Sequence, residues 1–348
     1  MRCEKMKASF YTGNQTFEVR DVTPAEPGEG EVRVRVAYCG ICGTDLHIFH
    51  GKMDQRVGIP QTIGHEMSGV VEKTGPGVTA FRPGDRVAVR PLDWCGDCPA
   101  CRAGHSHICM NLKFMGIDSV GAFQELWVVK ERTLFRVPDN LSLRLAALIE
   151  PLAVACHDVR TAAIRPGETV VVLGGGPIGL LIAMVARAAG GNVILSEINP
   201  YRIATARELG FRTVDPAGED LKAIVEATTG GAGADVVFEV TASAAGAKTM
   251  TELVRTRGRI VAVGIYSRPP EVDMHRFFWR ELRLFGARLY EEEDFRNGLE
   301  LAATGKLPLE RLITGVLRLD EIQKAFESFN GNAEAMKVLI QCSDEVEK

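Results

Sequence analysis

Val32, Val34 and Val36 alternate with Arg33 and Arg35 in the stretch "EVRVRVAYCG", residues 31–40. That two-residue period predicts a strand with one face in a core and the other toward solvent. "GVVEKTG", "DRVAVRP" and "GAFQELWVV" repeat the theme between glycine and proline punctuation. The first 150 residues therefore read as an irregular, mostly antiparallel β domain.

From about residue 165 the texture changes. "ETVVVLGG" is a continuous apolar strand, and a helical stretch runs from Ile178 to Ala189. "NVILSE", "ADVVFEV" and "GRIVAVGI" are further buried strands, separated by the helical segments "NPYRIATARELG", "GEDLKAIVEATTG" and "SAAGAKTMTELVRT". Apolar strands alternating with helices predict an α/β fold, a doubly wound parallel sheet covered on both faces. The tail reads as a helix, "LDEIQKAFESF", with Asp320 as its N-cap, then a strand, "MKVLIQC". The expected division is 1–153, with 288–348 rejoining it, and 154–287.

A chain of 348 residues exceeds the usual limit of one core, in keeping with two domains. A net charge of -4 and a pI near 6.0 offer no basic footprint for nucleic acid. The start, "MRCEKMKASF", lacks the apolar core of a signal peptide. The longest apolar run, "GLLIAMVARAAGG", is broken by Arg187 and is too short to span a bilayer. A cytoplasmic location is the default expectation. Nine cysteines, most of them closely spaced, favour metal over disulfides in a reducing compartment.

Gly174, Gly176 and Gly179 stand in G-x-G-x-x-G order, with Ile178 inside the turn. Alone the motif is weak. Here it follows an apolar strand and opens a helix, the context that a dinucleotide site requires. The first glycine permits the turn, the second lets the backbone approach a pyrophosphate, and the third lets helix and strand pack. Glu197 ends the next strand, 18 residues after Gly179. A carboxylate there accepts both ribose hydroxyls of NAD and repels the extra phosphate of NADP. Arg202, close by, pulls the other way; NAD remains the expected cofactor.

Two groups of metal-ligating residues stand out. Cys95, Cys98, Cys101 and Cys109 have C-x2-C-x2-C-x7-C spacing, which closes a tetrahedron around a structural zinc. An iron–sulfur cluster is the rival for such spacing, but nothing else suggests electron relay. His105 and His107, within that loop, read as bystanders. The second group is dispersed: Cys42 in "CGICGTD", His65 and Glu66 in "IGHEMSG", and Glu150 in "IEPLAVACH". Only a fold unites them, and on spacing alone each is ambiguous. Beside a dinucleotide fold they suggest a mixed sulfur, nitrogen and oxygen site with room for substrate.

"CGICGTDLH", "GHEMSGVV", "GDRVAV", the four-cysteine loop, "EPLAVACH" and "GGGPIG" together resemble the zinc-dependent medium-chain dehydrogenases, nearly end to end. Glu150 is similar to the sorbitol (polyol) dehydrogenase branch, and "CGTDLHIF" also resembles threonine and butanediol dehydrogenases. The resemblance implies a GroES-like catalytic domain, a Rossmann domain, and two zinc ions per chain, one catalytic and one structural. Cys42, His65 and Glu66 are then ligands of the catalytic zinc, with Glu150 binding directly or through water and Asp45 orienting His65. Cys39 has no such role. Thr44 passes the alcohol proton toward the cofactor ribose and His47 releases it to solvent. Where the polyol branch has a substrate-positioning arginine, alignment places Leu289, next to Arg288. The implied activity is oxidation of a secondary alcohol, a polyol or sugar-derived alcohol, with hydride transfer to NAD. The alternatives are L-threonine 3-dehydrogenase or 2,3-butanediol dehydrogenase and, in another class, a non-catalytic NAD-binding protein. A homotetramer or homodimer is the implied assembly, with edge pairing through "GRIVAVGIY" or "ELRLFGARL".

Overall fold

The alternating segment forms the strand Glu31–Gly40, with Val32, Val34 and Val36 fully buried in a seven-stranded sheet. Arg33 is only 5% exposed, against the half-solvated face that the alternation predicts. Its guanidinium is held at 2.6 and 3.0 Å by Glu72 and at 3.1 Å by Glu26, so paired charge replaces water on that face. The computed structural model describes residues 5–344. The chain divides into two compact units, Met1–Glu150 with Glu291–Lys348, and Pro151–Tyr290.

In the first unit the strand order is Ile313–Arg318, Lys337–Gln341, Glu31–Gly40, Glu66–Thr74, Arg86–Val89, Leu134–Arg136, and Leu126–Lys130 also pairs with Glu31–Gly40. All pairings are antiparallel except the first, between the two tail strands. The tail strand Lys337–Gln341 lies antiparallel to Glu31–Gly40, with Ile340 opposite Cys39. The tail helix is shorter than its sequence suggests. A 3-10 turn, Leu319–Glu321, precedes the helix Ile322–Glu327. Asp320 does not cap it: its carboxylate is 2.5 Å from Arg318, two residues upstream, and this local ion pair outcompetes the cap.

The second unit is built on six parallel strands in the order Arg212–Val214, Asn192–Ser196, Thr169–Leu173, Ala234–Glu239, Val254–Ala262, Arg283–Gly286. Every residue of Thr169–Leu173 is buried, as a strand covered on both faces must be. The chain starts at that strand, winds outward through Asn192–Ser196, then returns to Ala234–Glu239 on the other side. The strand order therefore reverses between Thr169–Leu173 and Ala234–Glu239, where open α/β sheets bind ligands beyond the strand C-termini. Val254–Ala262 lies inside the sheet, so of the two segments expected to pair at an edge only Arg283–Gly286 is an edge strand. Among the described residues no helix is long and apolar enough to cross a membrane.

Candidate metal and dinucleotide sites

The four-cysteine lobe is a short helix, Pro99–Arg102, a 3-10 turn, Ser106–Ile108, and connecting loops. With so little core, it needs another source of order. The sulfurs of Cys95, Cys98, Cys101 and Cys109 all lie within 4.8 Å of one another. Cys109 Sγ is 3.8 Å from Cys98 Sγ and 3.5 Å from Cys95 Sγ, and none of the four is in a disulfide. Zinc–sulfur bonds of about 2.3 Å in a tetrahedron require sulfurs about 3.8 Å apart, so the lobe fits that ion. Backbone N–H groups of Cys95 and Asn111 donate to Cys109 Sγ at 3.4 and 3.3 Å, and that of Met110 to Cys98 Sγ at 3.4 Å. Such donors stabilise thiolates: the N–H groups of Cys101 and Met110 hold the Cys98 thiol down, to about 6. His105 and His107 stand outside the group, with Nδ1 atoms 3.5 and 3.8 Å from Glu291.

Cys42, His65 and Glu66, scattered in sequence, form the second convergent group, each offering an atom within 4.8 Å of the others. Cys42 follows the strand Glu31–Gly40 and N-caps the helix Gly43–Phe49. Asp45, fully buried in the first turn, takes the Cys42 N–H on Oδ2 at 2.9 Å. Its Oδ1 lies 3.5 Å from His65 Nδ1, which leaves Nε2 as the ring atom free to ligate. Burial opposes protonation of His65, but the Asp45 carboxylate and the Cys42 thiol outweigh it and raise its pKa well above the ordinary value. Phe114 packs edge-on against the ring, centroids 5.0 Å apart. Phe49, at the end of the helix that Cys42 caps, belongs to an aromatic core with Phe17 and Phe326.

Lys337, from the tail strand, donates to both Glu66 oxygens at 2.7 Å and to the Ile41 carbonyl at 3.2 Å. Burial disfavours its charge, yet Glu66, Cys42 and Glu150 raise its pKa above the usual lysine value. Glu150, buried in the first turn of the helix Ile149–Ala162, is outside the three-residue ligand group and reaches it through this field. Two buried carboxylates, Asp45 and Glu66, and the Cys42 sulfur thus face the Lys337 ammonium. With Cys42 as a thiolate the group keeps a net negative charge that a divalent cation would balance, and its sulfur, nitrogen and oxygen donors suit zinc. Sequence reasoning passed over Lys337, whose only signal was a lysine opening an otherwise apolar strand. Cys39 is fully buried beside the group, and burial pushes its thiol well up, as in an inert cysteine.

Thr44 and His47 lie three positions apart on the helix Gly43–Phe49 and so share a face. Thr44 is half-buried and His47 exposed. Partial burial, with smaller contributions from Lys52 and His50, lowers the His47 pKa. His50 and His275 are exposed surface residues.

In the second unit the strand Thr169–Leu173 delivers Gly174 with φ +102, into the helix Pro177–Ala188 capped by Gly176. A Cβ on Gly179 would collide with the Gly174 carbonyl oxygen, and one on Gly176 would meet only Arg202 Nη1, at 3.6 Å. Ile178 is half-buried in the first turn. Glu197 turns inward more than its motif suggests. Oε1 accepts N–H groups from Ile198 and Asn199 at 2.7 and 2.9 Å, and Oε2 accepts that of Gly175 at 2.7 Å, with Arg202 Nη1 3.8 Å away. Three of a carboxylate's roughly four acceptor positions are thus engaged. Glu197 clamps the glycine turn to the neighbouring loop and keeps one acceptor position, on Oε2. Gly174, Gly176, Gly179 and Glu197 fit a dinucleotide: a cradle a Cβ would fill, and a carboxylate at its rim.

The alcohol dehydrogenase GroES-like domain family matches residues 28–139, and the zinc-binding dehydrogenase family matches residues 177–304. The chain is 52% identical to the 2-dehydro-3-deoxy-L-galactonate 5-dehydrogenase of Pseudoalteromonas atlantica, over 98% of this chain and 100% of that one. It is 34% identical to the sorbitol dehydrogenase of Halalkalibacterium halodurans, over 96% and 99%. Its fold superposes on a zinc-binding dehydrogenase of Sinorhizobium meliloti bound to NADP with a TM-score of 0.90 and 36% identity, covering 97% and 99% of the two chains. Likeness of this extent, on a β-rich unit and a parallel-sheet unit each with its own convergent site, makes the chain a member of the zinc-dependent medium-chain dehydrogenase/reductase family and an alcohol-oxidising enzyme.

Proposed function

We propose that the enzyme oxidises a secondary hydroxyl of a sugar acid to a ketone, with NAD as hydride acceptor. The observation that carries this reading is the full-length identity of 52% to a sugar-acid 5-dehydrogenase, against 34% to a sorbitol dehydrogenase.

Cys42, His65 and Glu66 would hold the catalytic zinc, with Glu150 close by, and Cys95, Cys98, Cys101 and Cys109 the structural one. When bound, the catalytic ion supplies Lewis acidity that brings an alcohol's pKa toward neutrality, and NAD supplies the hydride acceptor. Asp45 fixes the His65 ring, and Lys337 holds the Glu66 carboxylate. Thr44 receives the alcohol proton, and His47, with its lowered pKa, stays neutral near pH 7 and passes the proton to water. Gly174, Gly176, Ile178 and Gly179 receive the pyrophosphate. Glu197 accepts a ribose hydroxyl and disfavours a 2′-phosphate, with Arg202 moderating that preference.

The active form would be a homo-oligomer. The edge strand Arg283–Gly286 and the neighbouring helix Met274–Arg280, with Met274, Phe278 and Trp279 largely exposed, offer the apolar edge that a second copy would cover. Thiolate-held zinc suits the reducing cytoplasm.

The test is NADH formation by zinc-loaded enzyme on 2-dehydro-3-deoxy-L-galactonate, other sugar acids, sorbitol, 2,3-butanediol and L-threonine, with and without chelator. A sugar-acid signal lost on chelation and restored by zinc is expected. Turnover of only the neutral polyols, threonine or butanediol overturns the substrate reading.

A further inference from the structure

Glu239 ends the strand Ala234–Glu239, opposite Leu173 in register, at the point where the strand order reverses. It is completely buried. Oε1 accepts the Thr241 N–H at 2.9 Å and, in a short bond, the Thr241 hydroxyl. Oε2 accepts the Ala242 N–H at 3.2 Å and the Tyr266 hydroxyl at 2.6 Å. Each oxygen thus takes one backbone N–H and one hydroxyl, which fills an ionised carboxylate's acceptor positions. All four donors are neutral, so the charge has no cation among its hydrogen-bond partners.

These bonds join two loops. Thr241 and Ala242 follow the strand that holds Glu239, and Tyr266 follows the next strand, Val254–Ala262. Ala242 sits at φ +52, a conformation that an alanine adopts only when its surroundings impose it, and its N–H is one of the four donors. The Thr241 methyl packs on the glycine turn, 3.1 Å from where a Cβ on Gly174 would stand. A Cβ on Gly246 would collide with both Glu239 Oε1 and Thr241 Oγ1, so the helix Ala244–Leu253 is cut away to admit the carboxylate. The wall beside the dinucleotide turn is therefore assembled around one buried anion.

We propose that Glu239 is a positioning residue for the nicotinamide dinucleotide, which holds the 240–243 and 263–266 loops in their binding shape and favours the oxidised over the reduced cofactor through its charge. This rests on the dinucleotide reading of the glycine turn. NAD+ carries one more positive charge than NADH, on the ring. A buried anion beneath the crevice attracts that charge, and with an effective dielectric constant of about 20 such an attraction changes affinity on the order of tenfold.

The experiment measures NAD+ and NADH affinities, by nicotinamide fluorescence and calorimetry, for zinc-loaded wild-type enzyme, Glu239→Gln and Tyr266→Phe. Glutamine removes the charge and turns an amide N–H2 toward one of the two donor pairs. Both affinities are expected to fall, with NAD+ losing about tenfold more than NADH. Tyr266→Phe keeps the charge and loses one bond, so both affinities should fall by the same few-fold factor. Equal losses for the two cofactors in Glu239→Gln, or wild-type affinities in either variant, overturn the proposal. If Glu239→Gln does not fold, Tyr266→Phe still decides whether the loop tie positions the cofactor. Wild-type enzyme that binds neither nucleotide would instead overturn the underlying cofactor reading.

Discussion

Lys337 Nζ stands 2.7 Å from both oxygens of Glu66, in a pair whose side chains are 4% and 1% exposed. Neither charge is affordable alone at that depth, and each makes the other tolerable. The lysine therefore fixes the Glu66 carboxylate beside Cys42 and His65, where a zinc ion would draw on the same oxygens.

Lys337→Met leaves Glu66 buried without its ammonium, beside Asp45 and Cys42. A loss of about 3–5 kcal/mol is expected in the metal-free protein, because a stranded buried charge costs that much. Added zinc should recover part of the loss by taking over the charge. Thermal unfolding with and without zinc checks both, and a metal-free midpoint equal to wild type would show that the two charges are not coupled.

His47 has to be neutral to accept a proton, and burial together with Lys52 and His50 lowers its pKa from the ordinary 6.5. The sign follows directly. The part of the acidic limb that belongs to His47 should lie at lower pH than an ordinary imidazole would give, as His47 becomes charged. His47→Gln should lower kcat by about 10²-fold, the scale of a lost proton-transfer group, and flatten that acidic limb. A kcat–pH profile of the two enzymes tests this, and an unchanged limb in the variant assigns it to another group.

Cys98→Ser should release the metal of the four-cysteine lobe while the Cys42 site keeps its own. The lobe has no core to hold it, so a fall of several degrees in Tm is expected from lost metal-coupled folding. Zinc content should drop from two ions per chain to one. Two ions in a variant of unchanged stability would refute the assignment.

Glu197→Ala removes the acceptor of three backbone N–H groups, from Gly175, Ile198 and Asn199. Leaving those donors without a partner should cost about 1–3 kcal/mol of stability. Dinucleotide binding should weaken as the glycine turn loosens, with NADP losing less than NAD because a repulsive charge has gone. Titrating both cofactors into wild type and variant measures the difference.

Much of the fold was legible along the chain. Valine alternation marked the strand Glu31–Gly40, and the apolar run of Thr169–Leu173 marked a doubly covered strand, because burial on one face or two leaves a direct trace in residue order. The tail helix was misread at its start, because Asp320 meets Arg318 two residues away before any helix N–H. The glycine turn and the cysteine spacing were equally visible, being made by neighbours in sequence.

Cys42, His65 and Glu66 could be named from the sequence, but their convergence could not be derived from it, because nothing in the spacing of residues 42, 65 and 66 says that two strands meet there. Lys337 was hidden further. It pairs with a carboxylate 271 positions away, and only the docking of the tail strand against Glu31–Gly40 brings the charges together. Glu197 and Glu239 show the same division. The sequence by itself determined which carboxylates end which strands; the tertiary structure decided that backbone N–H groups would occupy Glu197 and that neutral donors would enclose Glu239. Local pattern records covalent neighbours and burial, whereas hydrogen-bond partners are chosen by the three-dimensional packing of distant segments.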